Sequence, residues 1–191
     1  MPDQPQAMKG EVREALVRET RERIVREGAT AEISHVVLMG VVVVLGYRAV
    51  PSILLAAWGA VVAVLCGLRF ALRRRLIGHA YTREDRRATL FVMTSLGAAW
   101  GVGAGLFSRW LDFGDLALVM MILTGIVAGA ATTLAPDRRA FRYFLASIVL
   151  PLAAGLVLSG VGTERHLVAV LLIAVFSLVM LIVQQRAYTG L

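Results

Sequence analysis

With 191 residues, 58% of them apolar, and a mean hydropathy of +0.74, the chain has the length of one domain and is too hydrophobic for a water-soluble globule. A formal charge of +7 would suit a nucleic-acid partner, but the arginines fall between apolar runs and not along one surface, which argues for a lipid bilayer and against nucleic acid. A single cysteine, Cys66, lies inside an apolar run, so a disulfide framework and a thiolate metal cluster are both excluded and packing is its expected role.

Residues 1–30 form a charged segment in which Glu14 and Arg18, Glu19 and Arg23, and Glu22 and Arg26 stand at the i,i+4 spacing that supports an exposed helix. Gly28 is a plausible stop. The apolar residues Val12, Leu16, Val17, Ile24 and Val25 make only a thin stripe without a heptad, which points to a cytoplasmic or membrane-surface helix ahead of a coiled coil. The segment has no apolar stretch followed by a small-residue cleavage site, so insertion is expected through the first span and not through a signal peptide.

Six apolar runs follow, each near the roughly 20 residues that cross a bilayer: Ile33 to Val50, Pro51 to Leu72, Thr89 to Phe107, Leu116 to Ala135, Phe141 to Gly160 and His166 to Val183. The turn at Tyr47 to Pro51 makes the first two an antiparallel hairpin, with Pro51 placed where a helix can open without losing an internal hydrogen bond. Short loops make the other sequential neighbours antiparallel too, and the runs lack the period-two alternation of a β-barrel. The expected fold is therefore an all-α integral membrane bundle of six transmembrane helices. Its domains are a charged N-terminal segment at 1–30, the six-helix membrane domain at 31–184, and the beginning of a cytoplasmic signalling helix at 185–191.

Orientation is read from the loop arginines. The N-terminal segment carries Lys9, Arg13, Arg18, Arg21, Arg23 and Arg26, and the second loop carries Arg73, Arg74, Arg75, Arg83, Arg86 and Arg87, with Arg69 just inside the helix end. The fourth loop holds Arg138, Arg139 and Arg142, whereas the alternate loops hold only Arg48, Arg109 and Arg165. The positive-inside rule puts the arginine-rich side, and with it both termini, in the cytoplasm. Trp110 and Phe113, beside Asp112 and Asp115, then form an aromatic anchor at the outer interface.

An ionisable side chain at the centre of a span costs about 2.5 to 3.5 kcal/mol on the insertion scale, and every Asp and Glu here falls in a terminus, a loop or close to a helix end, Glu32 included. This weighs against proton- or sodium-coupled transport. The histidines are His35, His79 and His166, with the first two towards the cytoplasm and the third at the outer end of the last span, about 30 Å away. They cannot share one haem or metal, and His35 with His79 lacks further ligands, so no cofactor and no metal site are expected. Ser159 near His166 is a turn residue without a nucleophile motif around it, and no catalytic residues are assigned.

Packing signals are stronger. Gly97, Gly101 and Gly105 form a small-xxx-small ladder in the third span, and Gly125 with Gly129 repeats it in the fourth, so these two helices are expected to pack through their glycine faces. Thr94, Ser95, Thr124, Thr132 and Thr133 add hydroxyls nearby, each able to bond its own backbone. Pro151, inside the fifth span, removes a backbone hydrogen bond and is a candidate hinge.

Trp58 and Arg69, the arginine-rich second loop, Gly97-x-x-Trp100-Gly101, the run Gly129-Ala130-Ala131 leading to Leu134-Ala135-Pro136, and then Phe141, Tyr143 and Pro151 resemble the six-helix N-terminal sensor regions of bacterial histidine kinases and diguanylate cyclases. The resemblance implies an input module in the bacterial inner membrane, dimeric through its parent protein. A kinase or, alternatively, a cyclase would follow the last helix, and the ligand is unspecified. It transfers no ligand-binding residue. The competing expectation is a small transporter or channel that is not proton-coupled, favoured by the glycine-rich helices and disfavoured by the lack of buried charge.

Overall fold

The computed structural model describes residues 30, 32–77, 82–134 and 137–159. They form five helices: α1 Glu32–Gly46, α2 Ser52–Ile77, α3 Arg83–Phe107, α4 Phe113–Thr133 and α5 Arg138–Leu158. The last four are long and apolar enough to cross a membrane, and the chain is a small all-α multi-pass membrane bundle.

The expectation of six transmembrane helices is thereby corrected, among the described residues, to five helices with four spans of membrane length. The run Ile33 to Val50 includes residues of the turn expected at Tyr47 to Pro51, and the helix stops before them. Helix α1 ends at Gly46, and the amides of Ala49 and Val50 donate back to the Gly46 carbonyl at 3.1 and 2.8 Å. At about 1.5 Å per residue α1 reaches little more than 20 Å, short of the roughly 30 Å hydrocarbon core. The run His166 to Val183, the charged segment 1–29 and the signalling helix at 185–191 lie outside the described residues.

Each long helix begins where a side chain or a proline satisfies its first amides. Pro51 precedes α2, and its carbonyl accepts from Leu54 and Leu55. Thr82 caps α3 in a reciprocal box: the Asp85 amide donates to Thr82 Oγ1 at 3.2 Å, and the Thr82 amide donates to Asp85 Oδ2 at 3.0 Å. Asp112 caps α4 by accepting from the Asp115 amide at 2.8 Å, and Asp137 caps α5 by accepting from Arg139 and Ala140, both at 3.1 Å. These caps explain why α3 and α5 extend beyond their apolar runs into the arginine-rich loops.

Helix α3 is the axis of the bundle, with 56% of its apolar stretch buried against 22% for α2 and 33% for α4 and α5. Its largest enclosed neighbours and residues are Trp100, Phe107, Phe141, Leu96 and Ile148. The outward faces are the reverse: Val44, Ile53, Phe91, Met121, Leu150 and Val157 are exposed, a surface suited to acyl chains and not to water.

The glycines set who touches α3. A Cβ at Gly97 would strike Ser147 Oγ, one at Gly101 would strike the Ile148 backbone, and one at Gly105 would come within 2.9 Å of the Pro151 carbonyl oxygen. Gly155 answers from the other side, since its Cβ would lie 2.5 Å from Gly105 Cα. The ladder on α3 therefore closes on α5, backbone against backbone, and the two helices run parallel, with α4 returning between them in sequence. The expected pairing of α3 with α4 through glycine faces is corrected accordingly: a Cβ at Gly125 or Gly129 meets no described atom within 4 Å. A small-residue ladder marks a face that tolerates close approach, and which helix takes it depends on the whole bundle. Pro151 sits at this seam, within a helix that continues through it from Arg138 to Leu158.

Candidate functional site: an ionic corner beside an aromatic core

The ion pairs among the described residues gather at one end of the bundle. The hairpin of α1 and α2 brings Glu32 level with Arg73, whose Nε donates to Oε1 and Oε2 at 3.1 and 3.3 Å and whose Nη2 donates to Oε2 at 3.1 Å. This fork-on-carboxylate geometry is the strong form of the pair, and both partners are largely covered, with Glu32 8% exposed. Around the same end Arg75 lies 3.8 Å from Asp85 between α2 and α3, and Arg86 bonds Asp137 between α3 and α5. Arg73, Arg75 and Arg86 thus meet at one end of the bundle with their counter-ions Glu32, Asp85 and Asp137, while Arg109, stacked at 6.0 Å on Trp110, and the exposed Phe113 lie at the opposite end.

Between α1, α2 and α3 this corner encloses a small cavity of about 20 Å³, lined by Glu32, Arg69, Arg73 and Thr89, with Leu72, Leu76, Val92 and Met93 as its apolar wall. Its size suits one water or one oxygen atom of a larger group, since a water needs roughly 10 to 15 Å³ by this measure. Two guanidiniums face one carboxylate there, so the corner carries an excess of positive charge.

Deeper in the bundle the aromatic residues interlock. Trp58 of α2 lies in a notch on α3 that only a glycine leaves open, because a Cβ at Gly103 would overlap the indole. Its Nε1–H donates to the Ala99 carbonyl at 2.8 Å. Trp58 meets Trp100 edge to face at 5.2 Å and Phe107 at 5.4 Å, and His35 of α1 approaches Trp100 at 6.1 Å. These contacts join α1 and α2 to the axis helix directly above the ionic corner. Such rings attract beyond their area burial, by about 0.5 to 1.5 kcal/mol a pair.

The residues singled out in the sequence are thus divided. Gly97, Gly101, Gly105 and Pro151 come together at the α3–α5 seam, whereas Gly125 and Gly129 stay apart from it. His35 is in the aromatic core, and His79 and His166 lie outside the described residues. No three His, Cys, Asp or Glu side chains converge as a metal site among the described residues. Sequence reasoning missed Gly103, Thr89 and the union of Glu32 with Arg69 and Arg73. The signal was present, for an arginine within an apolar run, four residues before another arginine, needs a partner, and the α1–α2 hairpin offers Glu32.

Comparison with known proteins finds no matching family model, no matching curated protein and no matching solved structure.

Proposed function

We propose that this bundle is the membrane-embedded input module of a bacterial signal-transduction protein in the inner membrane. Its output is a histidine kinase or, alternatively, a diguanylate cyclase carried by the parent chain, which acts as a homodimer. The observation that carries the reading is the Glu32–Arg73 pair, a charged latch between a short helix and the bundle, on the same membrane face as the arginine-rich loops. A latch of this kind has two discrete arrangements, closed and open, and a stimulus that favours one changes the geometry of the cytoplasmic face. Transport is less well supported, because the axis is filled by Trp100, Phe107 and Phe141 and the α3–α5 seam is closed at backbone distance.

The face bearing Arg73 to Arg75, Arg83 to Arg87 and Arg139 is assigned to the cytoplasm by its arginines. Reporter fusions after Arg87 are expected to report cytoplasm and fusions after Trp110 the outside. The functional reading itself is tested by the reading frame beyond codon 191 and by assay of the encoded protein in membranes. A phospho-acceptor dimerisation helix with autokinase activity, or a GGDEF-type domain with cyclase activity, supports it. A stop codon at that point contradicts it.

A further inference from the structure

The excess positive charge of the chain is concentrated. Residues 1–30 balance six basic side chains with six acidic ones, whereas residues 69–87 hold seven arginines against two acids and residues 137–142 hold three against one. These two stretches comprise the end of α2, the start of α3 and the start of α5, which meet at the end of the bundle that bears the ion pairs. Within them the arginines divide by direction. Arg73, Arg75 and Arg86 reach carboxylates on neighbouring segments, while Arg74, Arg87 and Arg139 are exposed on the outer surface.

Each of these three exposed arginines has an exposed aromatic ring one helical turn away on the same helix: Phe70 for Arg74, Phe91 for Arg87 and Tyr143 for Arg139. Helix α2 runs towards the charged end and α3 and α5 run away from it, so Phe70 precedes its arginine by four residues whereas Phe91 and Tyr143 follow theirs by four. On all three helices the ring is therefore rooted about 6 Å further from the charged end than the arginine. Arg74 shows how the two fit together, with its guanidinium 4.5 Å from the centre of the Phe70 ring. Phe91 is 69% exposed and Tyr143 60% exposed, so neither ring belongs to the core. At that depth an outward ring meets acyl chains, and a guanidinium one turn above it stands at the level of lipid headgroups.

We propose that Arg74, Arg87 and Arg139, each with its ring one turn deeper, form a rim that selects anionic phospholipid, the guanidiniums meeting the headgroup phosphates and the rings lying along the acyl chains. A basic side chain at a membrane surface favours anionic lipid by roughly fivefold, and a zwitterionic headgroup, which brings its own cation, gains much less. The three stations lie on different helices, so the rim holds a shell of several lipids and not one enclosed molecule. Lipid selection goes beyond the sensory reading and is separable from it, because it is measured on this chain without any output domain.

The test uses the full chain purified in detergent, stripped of lipid and supplied in turn with phosphatidylglycerol, phosphatidylcholine and the soluble headgroup glycerol phosphate, with retained adducts read by native mass spectrometry and stability by thermal unfolding. Phosphatidylglycerol is expected to be retained about tenfold better than phosphatidylcholine, a preference that shrinks at high salt. Combining Arg74→Gln, Arg87→Gln and Arg139→Gln is expected to bring the two lipids to within about twofold of each other. Arg109→Gln, which removes the arginine stacked on Trp110 at the opposite end, is expected to change the preference less than about twofold. Phe91→Ala with Tyr143→Ala is expected to lower retention of both lipids alike, by about threefold. Equal retention of the two lipids by the wild-type chain would overturn the proposal, as would a loss in Arg109→Gln as large as in the triple variant, or stabilisation by glycerol phosphate equal to that by phosphatidylglycerol. The first and last of these outcomes are read on the wild-type chain, so the test stands even if the triple variant fails to fold.

Discussion

The α3–α5 seam and the corner between α1, α2 and α3 are built from opposite materials. At the seam Gly101, Gly105 and Gly155 let two backbones touch, and Gly97 leaves room only for the small Ser147 side chain. At the corner long side chains meet across a cavity, through an ion pair whose members can exchange partners with water, lipid or one another. Backbone contacts fix a geometry, whereas paired side chains can switch. The bundle therefore joins a pair of parallel helices in backbone contact to a corner held by side chains at the end that bears the paired arginines.

The contrast predicts a graded response to substitution, measured by unfolding in mixed micelles. Gly101→Leu is expected to do the most damage, more than about 3 kcal/mol, since the Ile148 backbone has nowhere to move. Glu32→Gln is expected to cost about 2 kcal/mol by leaving Arg73 without its carboxylate. Trp58→Phe removes the bond to Ala99 while keeping an aromatic ring, and about 1 kcal/mol is expected. Gly125→Leu is expected to change stability by less than about 0.5 kcal/mol, because its Cβ meets no described atom. If Gly125→Leu were as damaging as Gly101→Leu, the glycine ladders of α3 and α4 would be equivalent and the seam would be misplaced.

What the sequence made legible follows from how local each signal is. Long apolar runs and the arginine asymmetry are sums over many residues, so α2 to α5 and the gathering of charge at one end could be read directly. So could the turn at Tyr47 to Pro51, closed by backbone bonds to Gly46; that the helix before it falls short of a span could not. The glycine ladder revealed a contact face on α3 but not its partner, since Gly125 and Gly129 carry the same spacing and meet no other helix among the described residues. The corner was least legible. Glu32 and Arg73 stand 41 residues apart, and each alone resembles an ordinary charge at a helix end. Only the register of the hairpin joins them.

The claim that the corner, and not the seam, adjusts is tested most directly by output from the parent protein in native membranes. Three forms are compared: wild type, Glu32→Gln, and the charge swap Glu32→Arg with Arg73→Glu. If the latch sets the equilibrium between two states, Glu32→Gln is expected to shift basal kinase or cyclase activity by about fivefold or more, in the range of ordinary coupling free energies. The swap, which rebuilds the pair with reversed polarity, is expected to return activity most of the way to the wild-type level. Identical activity in all three forms, each present at wild-type abundance in the membrane, would contradict the account.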